Sequence, residues 1–153
     1  ETKWLNMMRD KLGLYGQDKE DRNLIMELLD WMQKNKVDYT NTFVFLMNKT
    51  IEHSEAYNNA DFDLWKIKWI KRLTLFGNSH DKSMELMNSS NPMVIPRNHK
   101  VEEALSLANN GDLTLFNKLI EIFKNPYLVN NDDLKFMCPS LHSDKKYQTF
   151  CGT

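Results

Sequence analysis

The sequence predicts an all-α protein: seven or eight helices in one orthogonal-type bundle, followed by an extended C-terminal tail. Three observations carry that prediction. Apolar residues recur at i, i+3, i+4 and i+7 in segment after segment, the period of a helix face. Glycine, Asn-Gly and proline punctuate these segments where helices end. The strand-like run Phe43-Val44-Phe45-Leu46-Met47 has no hairpin turn or second such run beside it, so it too is assigned to a helix.

The first helix is expected over about residues 3–12, stopped by Gly13 and Gly16. Asp18 is the expected cap of the second, with Glu20 and Asp21 in its first turn as the macrodipole favours. Its stripe is Leu24, Ile25, Leu28, Leu29 and Met32, and Trp31 lies beside the stripe. Asp38 or Thr40 caps the third, and the polar residues 52–60 form a connection with room for a short helix. Asp61 is expected to cap a helix running to Phe76 that carries Leu64, Trp65, Lys68, Trp69, Arg72 and Leu73. Two readings of it stand. Its tryptophans pack inward while the cations snorkel out, or Lys66, Lys68, Lys71 and Arg72 form an aromatic-basic surface for nucleic acid. Large aromatics at helical spacing favour the core. Gly77 ends this helix, and Ser79-His80-Asp81 opens a short one to Met87.

The next stretch organises the chain. Pro92 and Pro96 push Asn91 and Ile95 into extended backbone, so no helix crosses Asn91-Pro92-Met93-Val94-Ile95-Pro96. The segment is an extended strut, pinned by Met93, Val94 and Ile95, that delivers Asn98 as a helix N-cap. Val101, Ala104, Leu105 and Ala108 form one stripe, Asn110-Gly111 a stop, and Asp112 the next cap. Phe116, Leu119, Ile120 and Phe123 repeat the stripe before Asn125-Pro126. The two stripes are expected to face each other in a hairpin. One or two turns follow Asn130, and the polar, aperiodic residues 138–153 are the tail.

Arg97 is out of place by local rules, because a cation before a helix N-terminus opposes the macrodipole. It wants a neighbouring carboxylate or a set of C-terminal carbonyls, or else an anionic ligand such as phosphate. No glycine or second cation nearby strengthens the second option.

Composition narrows the function. A net charge of −1 lacks the electrostatic footprint of a dedicated nucleic-acid binder. The longest apolar run is far short of a membrane span. Two cysteines, Cys138 and Cys151, do not make a disulfide scaffold and suggest a reducing compartment. The four histidines share no metal-ligand spacing with them. Glu1 starts a segment already in helical rhythm, which reads as a chain cut from a longer one. Phosphate-loop, dinucleotide and zinc-protease motifs are missing from the sequence. Asp61-Phe62-Asp63 resembles a metal-binding Asp-Phe-Gly but lacks the glycine. Cys151, third from the end beside Gly152, is either a reactive thiol within reach of a partner or an incidental terminal cysteine.

Taken together, several segments resemble the C-terminal region of the SelO family, called YdiU in bacteria. They are Asn91-Pro92 with Ile95-Pro96-Arg97-Asn98-His99, Val101-Glu102-Glu103-Ala104-Leu105, and Gly111-Asp112 with Phe116. Lys11-Leu12-Gly13-Leu14, Asp38-Tyr39-Thr40, Trp69 with Arg72, and the ending Thr149-Phe150-Cys151-Gly152-Thr153 agree in order. The resemblance implies a kinase-like parent that transfers AMP from ATP to Ser, Thr or Tyr hydroxyls of proteins, with bound magnesium. The family's glycine-rich loop, nucleotide-binding lysine and Asp-Phe-Gly lie upstream of the matched region. It therefore implies that no catalytic, cofactor or metal residue falls in this chain, and that ATP and magnesium belong to the full-length parent. Implied partners are the upstream kinase-like lobe and protein substrates, in a bacterial cytoplasm, with neither nucleic acid nor membrane. The family's redox position corresponds to Cys151, whose partner is expected outside this chain. Residues 1–137 would then be the helical C-terminal domain and 138–153 a redox tail, with an exposed apolar patch where the lobe docks. The alternative is a stand-alone helical interaction module.

Overall fold

A computed structural model describes residues 2–49, 51 and 54–139. Seven α-helices are present in this part: α1 (Thr2–Lys11), α2 (Asp21–Asn35), α3 (Tyr39–Leu46), α4 (Ala60–Leu73), α5 (His80–Ser90), α6 (Asn98–Asn109) and α7 (Thr114–Lys124). Two 3-10 segments, Ser54–Tyr57 and Asn131–Phe136, complete it, and no strand occurs among the described residues. The architecture is all-α, as the periodicity predicts. The short run at Phe43 is helical, because Asp38 caps it by accepting from the Asn41 N–H at 2.8 Å.

The α2 and α4 helices pack together at the centre, and α1 lies against both α2 and α5. Their shared core includes Met8, Leu12, Ile25, Leu28, Phe43, Val44, Phe62, Met87 and Val94, all essentially without exposed surface. Trp65 and Trp69 do more than fill space. Their indole N–H groups donate to the Leu24 carbonyl at 2.8 Å and to the Leu12 carbonyl at 2.9 Å. A carbonyl just past the end of α1 thus gains a partner inside the protein, as buried helix ends require. Trp31, beside the α2 stripe, is buried against Phe62 with ring centroids 4.4 Å apart.

Several boundaries differ from expectation, each for a local reason. Asp18 does not cap α2; it accepts from the Glu20 N–H in the preceding turn, while its own N–H donates to Asp21. Asn59, not Asp61, caps α4, its side chain accepting from the N–H groups of Asp61 and Phe62. The same oxygen accepts from Trp31 Nε1 at 3.1 Å, so a tertiary contact fixes the cap two residues earlier. The α4 helix ends at Leu73 rather than Phe76, and α5 continues to Ser90.

The strut is extended, with Met93 and Val94 buried. Their N–H groups both donate to the Pro126 carbonyl, at 2.8 and 3.3 Å, which fastens the strut to the base of the hairpin, just after α7. Asn98 is the first residue of α6 rather than its cap; Arg97 holds the cap position, with no side-chain bond to the helix. The stripes of the hairpin are also rotated. Only Ala104 of the α6 stripe is buried, and in α7 Leu119 and Ile122 turn inward while Phe116 and Ile120 face out. The apolar residues of α7 span one broad face opposite Asn117, Lys118 and Glu121, and packing buries one edge of it, at Leu119 and Ile122, while the other edge, at Phe116 and Ile120, stays outside.

Candidate functional site

Of the two residues singled out by the sequence, Cys151 lies outside the described residues. Arg97 is at the centre of a built constellation. Its guanidinium grips Asp38, with Nη1 to Oδ2 at 2.6 Å and Nη2 to Oδ1 at 2.9 Å. Nη2 also reaches Asn41 Oδ1 at 3.3 Å and the Met137 carbonyl at 3.1 Å. Both expected kinds of partner are therefore present, a carboxylate and a C-terminal carbonyl, while Arg97 Nε is buried with no hydrogen-bond partner. A planar fork with five donors can bind both at once, which an ammonium cannot. Burial raises the Asp38 carboxyl pKa, but the Arg97 fork and the Asn41 N–H outweigh that and hold it below the ordinary range. One carboxylate thus caps α3 and anchors the start of α6 together with the end of the last 3-10 segment.

A second cluster escaped sequence reading. Asp21 is fully buried between two arginines. Arg9 Nε reaches its Oδ2 at 2.6 Å, and Arg72 Nε its Oδ1 at 2.6 Å. Arg72 also donates to the Tyr15 carbonyl at 3.1 Å, and its guanidinium carbon lies 4.9 Å from the Phe76 ring centre. Desolvation pushes the Asp21 carboxyl up, but bonds from Arg72, the Asp18 N–H and Arg9 prevail and lower it. Arg72 therefore does not snorkel; it is a buried ion-pair partner. Only its place beside Trp69 on the inward face of α4 could have flagged this, since partners 51 residues apart leave no local signal.

Asn91 is the third such residue, buried under the strut. Its amide nitrogen donates to the carbonyls of Lys11 and Met87, at 2.8 and 2.9 Å, and its oxygen accepts from Lys11 Nζ at 3.2 Å. Lys11 in turn sits 4.9 Å from the Phe43 ring centre, and burial lowers its pKa. Arg97, Asp21 and Asn91 each bind groups from separate elements, which is the chemistry of a scaffold.

The alternatives fit less well. With Trp65, Trp69 and Arg72 buried, the α4 helix offers no stacking platform for bases. Among the described residues no group of three His, Cys, Asp or Glu side chains could hold a metal. Phe62 of Asp61-Phe62-Asp63 is core. No described helix is long and apolar enough to cross a membrane. A cleft of about 410 Å³ between α2 and α4 is lined by both signs of charge, Glu20 and Glu27 against Lys68 and Lys71, and selects no ligand class. What the surface does present is apolar area: Leu64 and Ile67 on α4, and Leu113, Phe116 and Ile120 along α7, all substantially exposed.

Comparison with known proteins gives this scaffold its setting. A family model described as "Protein adenylyltransferase SelO" matches residues 1–124. The chain is 79% identical over its whole length to "Protein nucleotidyltransferase YdiU" of Pelagibacter ubique. It is 40% identical over its whole length to proteins of the same name from Bacillus anthracis and Bacillus cereus. In each case it covers 32% of the relative, so the chain spans about a third of the length of these curated relatives. With the family model spanning most of the chain and the relatives agreeing from end to end, this helical scaffold belongs to the SelO protein adenylyltransferase family.

Proposed function

We propose that this chain is the helical, non-catalytic part of a SelO-type protein nucleotidyltransferase, and that it buttresses a kinase-like lobe. The whole protein would move AMP from ATP to hydroxyl side chains of other proteins, with magnesium and nucleotide held outside this third. The observation that carries the reading is the 79% identity, across every residue of the chain, to a nucleotidyltransferase three times its length. Supporting it, the described residues include inter-element clasps and bare apolar helix faces, the makeup of a support.

Cys151 adds regulation in this reading. Its thiol and a second thiol in the preceding lobe would join as a disulfide, releasing two protons and two electrons to an oxidant such as a peroxide or disulfide. Reduction would reverse it. The test is AMP incorporation into protein by the polypeptide of the relatives' length, as wild type and as Cys151→Ser, each under oxidising and reducing conditions. Redox-dependent activity in the wild type that disappears in Cys151→Ser is the expected result. Equal incorporation in all four removes the redox role; no incorporation in any removes the transferase reading.

A further inference from the structure

The α6–α7 hairpin is fastened firmly at its base and left bare along its side. Its two helices pack chiefly on each other. In α6 only Ala104 is buried, and in α7 only Leu119 and Ile122. Three buried side chains, with Leu115 and Phe123 partly buried beside them, cover only part of the apolar surface of this hairpin, and helical stability in proteins comes mainly from packing of an apolar face. On the outward side Leu113, Phe116 and Ile120 follow i, i+3 and i+7, and are 51%, 38% and 43% exposed. Lys118 turns to Asp133 at 2.7 Å, and Lys124, one turn beyond Ile120 at the end of the stripe, is paired with Glu121 at 2.6 Å. On α4, by contrast, Lys68 runs among the outward leucine and isoleucine side chains and is paired with Glu27 at 2.8 Å. That face is already a mixed surface.

The base is where the structure is strict. Arg97 fixes the start of α6 to Asp38 and Met137, and Pro126, just after α7, accepts both N–H groups of the strut. Fixing both roots of a hairpin whose flank is bare preorganises that flank for a partner.

We propose that the Leu113–Phe116–Ile120 stripe is an intramolecular docking face. Its occupant is the remaining two-thirds of the polypeptide that the relatives carry, which offers it an apolar groove. This rests on the buttress reading above and identifies the surface that performs it. Two arguments favour the same chain over a second copy. A few half-exposed side chains supply a few hundred Å² at most, whereas a stable interface between separate chains takes about 800 Å² from each partner. A covalently joined partner is present at an effective concentration of the order of millimolar, so a small patch suffices.

The test is hydroxyl-radical footprinting of the full-length polypeptide as a monomer, without ATP. Oxidation rates at Leu113, Phe116 and Ile120 are compared with those at Leu64 and Ile67, each normalised to the denatured chain. The expected result is protection of the three α7-side residues by roughly fivefold, the ratio between a half-exposed side chain and one sealed in a packed interface. Phe116→Glu should return Leu113 and Ile120 towards the rates of Leu64 and Ile67. Equal labelling of both sets in the wild-type monomer overturns the proposal, and so does protection that appears only as the protein dimerises, which would make the occupant a second copy. Footprinting needs no catalysis. Protection without AMP transfer would sink the transferase reading alone, and AMP transfer without protection would sink the docking face alone.

Discussion

Arg97 and Asp38, 59 residues apart, share two parallel hydrogen bonds, and Asp38 simultaneously caps α3. The pair is mostly buried, the side chains being 11% and 19% exposed. Removing one member leaves the other as an uncompensated charge in a poorly solvated site, which typically costs about 3–5 kcal/mol.

Arg97→Ala should therefore lower unfolding free energy by about 3 kcal/mol or more, read from urea denaturation. Arg97→Lys should recover only part, because an ammonium cannot form the fork or reach Met137 at the same time. Asp38→Ala combined with Arg97→Ala should cost less than the sum of the single changes. Additivity within about 0.5 kcal/mol would mean the two side chains are not coupled.

Asp21 makes a sharper case, since two buried arginines depend on it. Asp21→Asn should destabilise by about 3–5 kcal/mol, whereas Glu27→Gln at the exposed Lys68 pair should change stability by less than about 1 kcal/mol. Paired thermal melts of the two variants decide the matter, and similar losses would refute it.

The same carboxylates set an acid dependence. Asp21 and Asp38 both have folded-state pKa values below their unfolded ones. Their contribution is thus full above the unfolded value of about 4 and disappears as pH falls through the folded values. Circular dichroism at fixed urea should show a plateau from near neutrality down to about pH 5 and a decline below about pH 4. In Asp38→Asn the decline should be shallower. A stability that rises on acidification would contradict the sign.

Two glycines with the same backbone angle test local packing. Gly13 and Gly77 both have φ +68°, where a Cβ is strained. At Gly13 a Cβ would also come within 2.7 Å of the Ser83 carbonyl oxygen and 3.0 Å of Met87 Cγ; at Gly77 it meets nothing within 4 Å. Gly77→Ala should cost about 1 kcal/mol from strain alone. Gly13→Ala should cost clearly more, because α1 and α5 must separate to admit the methyl. Equal shifts in melting temperature would show that the α1–α5 contact is looser than these distances imply.

What the sequence determined alone is the set of helices. Stripes such as Leu24, Ile25, Leu28 and Met32, and stops such as Asn110-Gly111, are local properties, and a helix is satisfied within its own turns. Capping was legible only where no tertiary contact competed: Asp38 and Ser79 hold, while Trp31 moved the α4 cap to Asn59 and Arg97 left α6 without one. Arg97 announced its need for a partner by opposing a helix dipole, but the identity of that partner was not local information. Asp21, Arg9 and Arg72 announced nothing, since each is an ordinary charged residue until α1, α2 and α4 bring it to the others. Which edge of the broad apolar face of α7 turns inward was likewise undetermined, because both edges are apolar and only packing breaks the tie. Helices follow from interactions three and four residues apart; ion pairs and buried faces follow from which helices meet, and that is decided by the packing of the whole core.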